Sequence, residues 1–393
     1  MIRLPCAFTA ILLLGSCSDS SSNSETVSLY TFDRLELLQS IASYTSSSFE
    51  TFAGQSSDFA ENVTGLCEQS SDGNAYGAEL EQLQNSWKSM MARWQEIEAY
   101  QFGPLNDNAG TLRYDIYSWP LVNYCTIDRE VSNLRAAGDT YQLSDKDLAK
   151  GLVALEYLLF DSDLNHDCTD SVSETVGWND LSEADRRTNR CLYMELVAND
   201  LSQQAATLQT QWQSTYATNL VATGTDSELQ DRINRISDSL FFIDGSVKDR
   251  KLGVPLAIND LCPEFPCTDE VENPWSGQSL ASVHYNLRGF QAVFQGSDDS
   301  ALGFDSFLSE VGRSDLADAI NESIDSAIET SEALATEDLA SLLTERCPDL
   351  DVDEQTGVCK LYFQVKVITD ELKGEFTEIL QLELPQQTAG DND

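Results

Sequence analysis

Apolar side chains recur along the chain at steps of three, four and seven residues, the interval that places them on one face of an α-helix. A first seam runs Leu35, Leu38, Ala42, Thr45, Phe49, Phe52, Phe59, and a second Leu80, Leu83, Trp87, Met90, Trp94, Ile97. A third is Leu148, Leu152, Leu155, Leu159, and a fourth Met194, Val197, Leu201, Ala205, Leu208, Trp212. The polar stretch Ala222 to Ser227 interrupts the pattern, which then resumes with Leu229, Ile233, Ile236, Leu240, Ile243. A sixth seam is Leu280, Val283, Leu287, Phe290, Phe294. The seventh includes Leu316, Ile320, Ile324, Ile328 and Leu334, and the eighth Leu361, Val365, Ile368, Leu372, Phe376, Ile379. No comparable alternation of period two appears, so the chain reads as all-α.

Four seams precede the polar stretch and four follow it. A helix with one apolar face must bury it, and four such faces bury one another. The expected architecture is two four-helix bundles in tandem, residues 28–220 and 221–386, with a disordered tail at 387–393. The segments 102–145, 161–181 and 245–278 read as long connections rich in Gly, Pro, Asn, Asp and Cys, the kind of loop that often carries function.

The amino terminus changes the picture from a cytosolic to an exported protein. Arg3 precedes an apolar run from Ala7 to Leu14 that is too short to span a bilayer. It ends in Leu14-Gly15-Ser16-Cys17, the layout of a bacterial lipobox. Residues 1–16 are therefore expected to be a signal peptide, with Cys17 lipidated and 17–27 a Ser-rich tether. Ser18 after the cysteine favours the outer membrane, facing the periplasm. Of the ten cysteines, Cys6 leaves with the signal and Cys17 takes lipid, leaving eight. An even number in an exported chain suggests disulfides. Pairing neighbours in sequence gives Cys67–Cys125, Cys168–Cys191, Cys262–Cys267 and Cys347–Cys359. The rival, a zinc cluster, has no CxxC pair and two histidines, His166 and His284, to draw on.

Asp and Glu number 66 against 23 Lys and Arg, for a net charge of −43. Such a surface repels phosphate backbones, which argues against nucleic acid as a partner. It suits a salty or cation-rich setting. The partners expected are the membrane, through the lipid, and a metal ion or an envelope protein.

The segment Lys150 to Phe160 (KGLVALEYLLF) holds the main candidate residue. Glu156 lies four residues after Leu152 and three before Leu159, beside a buried stripe where a carboxylate needs a partner. The segment resembles the signature of the imelysin-like family, Gly-x-His-x-x-Glu followed by Tyr-Leu-Leu-Phe. Gly151 and Glu156 match, while Val153 stands at the histidine position. Trp94 to Pro104 (WQEIEAYQFGP), Ile116 to Pro120 (IYSWP), Lys251 to Leu256 (KLGVPL), Glu270 to Ser279 (EVENPWSGQS) and Ser282 to Gly296 (SVHYNLRGFQAVFQG) resemble further family segments in the same order. Together they cover most of residues 30–385. The resemblance implies a two-bundle helical fold and a function disputed between envelope metallopeptidase and iron-regulated or iron-uptake component. It also implies a metal held by the signature His and Glu, a pairing that spacing three apart on a helix would permit. Valine has no donor atom, so that pair is incomplete.

The remaining polar candidates are Glu98, at the end of the second helix, with Arg113 and Asp115 before Trp119. Glu156 is expected to salt-bridge Arg113, to share a cation with Glu98 and Asp115, or simply to lock the bundle through hydrogen bonds. Iron, zinc and calcium are the divalent metals to consider, and none is fixed by the residues. A calcium loop over Asp161, Asp163, Asn165 and Asp167 fails the EF-hand pattern, which His166 and Val172 break at the sixth and twelfth positions. It reads as a solvated loop. No nucleophile elbow, Walker loop or His-Glu-x-x-His is present. Three functions stay open: a non-catalytic envelope binding protein linked to metal or iron acquisition, a metallopeptidase with an altered site, and a structural or interaction lipoprotein.

Overall fold

The computed structural model describes residues 32–382 apart from 70–74, 122, 145–146, 260, 263 and 299. The expected signal peptide, Cys17, the tether and the tail lie outside the described residues.

Every regular element among the described residues is helical. The first part of the chain forms α1 (Arg34–Gln69), α2 (Ala75–Glu98), α3 (Thr111–Ile116), α4 (Tyr124–Ala137), α5 (Gly151–Phe160), α6 (Glu183–Gln211) and α7 (Ala217–Leu220). The second forms α8 (Asp226–Leu240), α9 (Ser279–Phe294), α10 (Phe304–Glu310), α11 (Ser314–Leu334), α12 (Leu339–Leu342), α13 (Gly357–Glu371) and α14 (Thr377–Ile379). A π-helical segment, Ile243–Gly253, continues the line of α8. The polar stretch before α8 supplies its start. Thr225 caps the helix, its Oγ1 accepting from Glu228 N while Thr225 N donates back to Glu228 Oε2, which satisfies two otherwise unpaired amides.

Two rings of four helices result. In the first, α1 lies against α2 and α6, and α5 closes the ring against the same two. In the second, α9 and α13 each pack against both the π-helical segment and α11. The rings meet where α2 lies on α9. A Cβ at Gly289 of α9 would sit 2.1 Å from Glu96 O of α2, so only glycine permits this approach. One continuous apolar core runs through both rings, with Phe49, Trp87, Trp94 and Trp212 on one side and Phe290, Phe294 and Phe376 on the other.

The third seam differs from expectation. Leu148 precedes the helix, and α5 is buried on all sides from Gly151 to Leu159 rather than along one stripe. A helix apolar all round is an interior helix, and Glu156 is buried with it. Gly151 opens α5 at φ 72°, and a Cβ there would fall 2.4 Å from Ile116 O. The signature glycine therefore lets α5 start against the end of α3. The expected 102–145 connection also holds a full helix, α4, which buries Ile127, Val131 and Leu134. Asn123 caps it by accepting from Thr126 N at 2.9 Å.

Two of the expected disulfide pairs are corrected. The bonds are Cys67–Cys191 and Cys125–Cys168, with Cys262–Cys267 and Cys347–Cys359 as expected. Closeness in sequence misleads here because α1 and α6 run side by side. Their contact brings Cys67 and Cys191, 124 residues apart, to a Cα separation of 5.5 Å. Cys125, in the first turn of α4, is left to pin Cys168 of the 161–181 loop. No described helix is long and apolar enough to cross a membrane.

Candidate functional site

The seam between the rings holds a buried polar cluster. Lys251, from the π-helical segment, is 1% exposed. Its ammonium lies 2.6 Å from Gln95 Oε1, 2.9 Å from Asn286 Oδ1, 2.9 Å from Glu272 Oε1 and 3.1 Å from Glu98 Oε2. Gln95 and Glu98 are three apart on α2 and so share a face. Asn286 comes from α9, one turn before Gly289, and the close α2–α9 approach lets its Nδ2 reach Gln95 O at 2.7 Å. The ring of Trp119 and that of Phe242 flank the ammonium, each centroid 5.7 Å away, a geometry that favours a desolvated cation.

Glu272 is fully buried. Tyr117 donates its hydroxyl to Glu272 Oε1 at 2.6 Å, and Gln95 Nε2 donates to the same oxygen at 3.2 Å. Glu272 Oε2 is buried with no hydrogen-bond partner among the described residues. Burial, with the Glu272 carboxylate next, holds the Tyr117 phenol well above its ordinary range. Burial also raises Glu98, against the pull of Lys251. Two acidic side chains buried around one ammonium persist only when their hydrogen bonds hold them.

Glu156 lies in the same seam and ties the rings together differently. Its Oε1 accepts from Ser276 N at 2.9 Å and from Ser276 Oγ at 2.8 Å. Burial pushes its carboxyl up to about 7; the Ser276 donors oppose the rise and Glu272 adds to it. The next residue, Tyr157, points to a second buried cluster inside the first ring. Arg190 donates there to Asp161 Oδ2 at 2.7 Å, to Tyr157 Oη at 3.0 Å and to Asn165 O at 2.9 Å, and lies 3.3 Å from Asp128 Oδ1. Burial pushes Asp128 up to about 6 against the pull of Arg190. Trp275, beside Ser276 in the chain, packs edge-on against Tyr157 and Tyr124.

The sequence candidates separate in space. Glu98 and Glu156 both lie in the seam, but Glu98 is held by Lys251 and Glu156 by Ser276. Asp115 pairs with Lys150 at 2.8 Å. Arg113 hydrogen-bonds Gln101 and lies over the Tyr114 ring rather than bridging Glu156. Val153 is buried among apolar neighbours. His284 contacts Ser331 Oγ at 3.0 Å, and burial lowers its pKa. The 161–167 loop is less solvated than expected, because Asp161 is buried on Arg190 and Asp167 N donates to Asp128. Lys251, Glu272, Gln95, Asn286 and Tyr117 were not singled out from sequence, although all lie in or beside the quoted segments.

These features define a class: an all-helical protein whose two four-helix rings enclose a buried charged seam. The chain belongs to the imelysin family (peptidase M75), which it matches over residues 41–365. It is 25% identical over 237 residues to the iron-regulated protein A of Synechococcus elongatus, an alignment covering 58% of this chain and 56% of that protein. The chain thus spans little more than half the length of this curated relative. Among solved structures it is similar to an imelysin-like protein from Psychrobacter arcticum 273-4, with TM-score 0.63 and 16% identity over 89% of this chain and 98% of that one. It is likewise similar to a protein from Parabacteroides distasonis ATCC 8503 described as an iron-regulated protein A precursor, with TM-score 0.64, 14% identity and coverage of 89% and 95%. These two likenesses establish the fold.

The residues present do not fit a resident metal at the signature. Val153 offers no donor, Glu156 spends Oε1 on Ser276, and the carboxylates of Glu98 and Glu272 face an ammonium that would repel a cation. Among the described residues no group of three His, Cys, Asp or Glu side chains is placed to hold a metal ion. A peptidase zinc usually needs three protein ligands and an open position.

Proposed function

We propose that this imelysin-family protein is a non-catalytic binding protein of the bacterial envelope, anchored by lipid on Cys17 and serving metal or iron acquisition. The observation that carries the reading is Lys251 between Glu98 and Glu272, with Val153 at the signature histidine position. The built-in ammonium engages the carboxyl groups of Glu98 and Glu272 and joins the rings through them, while Val153 leaves Glu156 without a second donor beside it. The iron link is supported by the relative named iron-regulated protein A. Export and anchoring are supported by the Leu14-Gly15-Ser16-Cys17 segment. The test has two arms. The mature protein should show no chelator-sensitive cleavage of denatured protein substrates. Deleting its gene should slow growth under iron limitation, with rescue by the intact gene and not by Cys17→Ala. Cleavage that is lost with chelator and in Glu156→Ala would replace this reading with a metallopeptidase.

A further inference from the structure

A cleft of about 1070 Å³ opens on the seam and shares Phe242 with the surroundings of the Lys251 ammonium. One wall comes from the segment 101–113 and the α6–α7 junction, the other from α8 and the start of the π-helical segment. Its floor is aromatic. Phe102 packs edge-on against the buried Trp212, whose indole N–H is taken by Ser46 Oγ at 2.8 Å, and this buried pair backs the lining. Tyr216 and Phe242, both half-buried, present the aromatic surface, with Phe241 buried beside them.

The charge around the cleft departs from that of the chain. Overall there are 66 acidic against 23 basic side chains, nearly three to one. Around the cleft Arg113, Arg232 and Arg235 stand against Asp107, Asp238, Asp244 and Asp249. Two of these aspartates are already met by lysines. Lys248 lies 3.0 Å from Asp244 and 3.3 Å from Asp249, and Lys373 lies 2.9 Å from Asp244. Arg113 Nε is buried without a hydrogen-bond partner among the described residues, and Arg235 is exposed on the rim. Guanidinium groups above an aromatic floor recognise a flat apolar body bearing an anionic group.

We propose that this cleft binds a drug-sized aromatic anion. The probe is 1-anilinonaphthalene-8-sulfonate, compared with its uncharged twin N-phenyl-1-naphthylamine, by fluorescence titration and calorimetry on the mature, disulfide-intact protein. The long-range field of a chain at −43 opposes the anion, so any preference for it must be local. The expected result is one sulfonate probe per chain, bound at least about tenfold tighter than the twin, as a charge-assisted contact would give. Arg113→Gln or Arg235→Gln should weaken the sulfonate probe about tenfold and leave the twin unchanged. Arg235 is exposed, so its variant keeps the test valid even where Arg113→Gln impairs folding. The proposal is overturned if the twin binds as tightly, if neither folded variant weakens the anion, or if no saturable binding is found.

Discussion

Two buried clusters hold this protein together, and they solve the same electrostatic problem in different ways. Around Arg190, one guanidinium meets Asp128, Asp161, Tyr157 and a backbone carbonyl, all within the first ring and its 161–181 loop. Around Lys251, one ammonium meets Glu98 from the first ring and Glu272 and Asn286 from the second. The Arg190 cluster fixes a loop that Cys125–Cys168 also holds. The Lys251 cluster, with Glu156 on Ser276, fixes the relation between the rings. The difference teaches where the molecule can be cut: damage to the first should stay local, and damage to the second should reach both halves.

The largest expected effect breaks the seam. Lys251→Met leaves Glu98 and Glu272 buried without their cation and should cost about 3–5 kcal/mol in urea unfolding. Arg190→Met should bring comparable strain but release the 161–181 loop first, read as early proteolysis there while the second ring stays protected from hydrogen exchange. If both variants open the same amides, the distinction between local and shared clusters is wrong.

Glu156 gives the next effect, and its sign is opposite. Its folded pKa of about 7 lies above the ordinary value of 4.5. Between those values the native state binds a proton that the unfolded chain has lost. Stability from this group is therefore full below pH 4.5 and drains away as pH rises through 7. Glu156→Gln removes the charge while keeping an acceptor for Ser276. It should be more stable than the natural protein at pH 8, by up to about 3 kcal/mol, with the gap closing towards pH 5. An unchanged pH slope in thermal melts would remove Glu156 from the seam's charge balance. The smallest effect is that of Ser276→Ala, which deletes one of the two donors. It should cost about 1 kcal/mol at neutral pH and move the Glu156 titration still higher, measurable by carboxyl NMR.

The fold was legible because helical burial is a local pattern: a step of three or four residues fixes which face is apolar without reference to the rest of the chain. The helix α4 escaped because its apolar positions, Ile127, Val131 and Leu134, lie among turn-forming residues that read as a loop. The disulfides escaped in part because the α1–α6 contact outweighs distance along the chain. Glu98 and Glu156 stood out as acids beside buried stripes. Their partners did not, since pairing Glu98 with Lys251 spans 153 residues and requires knowing that the π-helical segment reaches the end of α2. Only the quoted segments around Trp119, Lys251, Glu272 and Asn286 carried that information, as pieces whose meeting point no helical pattern supplies.

The central claim is that the signature helix serves the seam and holds no metal of its own. Its most direct test is elemental analysis and calorimetry on the mature, disulfide-intact protein lacking Cys17, beside Glu156→Ala, with iron, zinc and calcium each titrated into the apo form. The account predicts no stoichiometric metal that depends on Glu156. A metal retained at one per chain in the natural protein and lost in Glu156→Ala would contradict it.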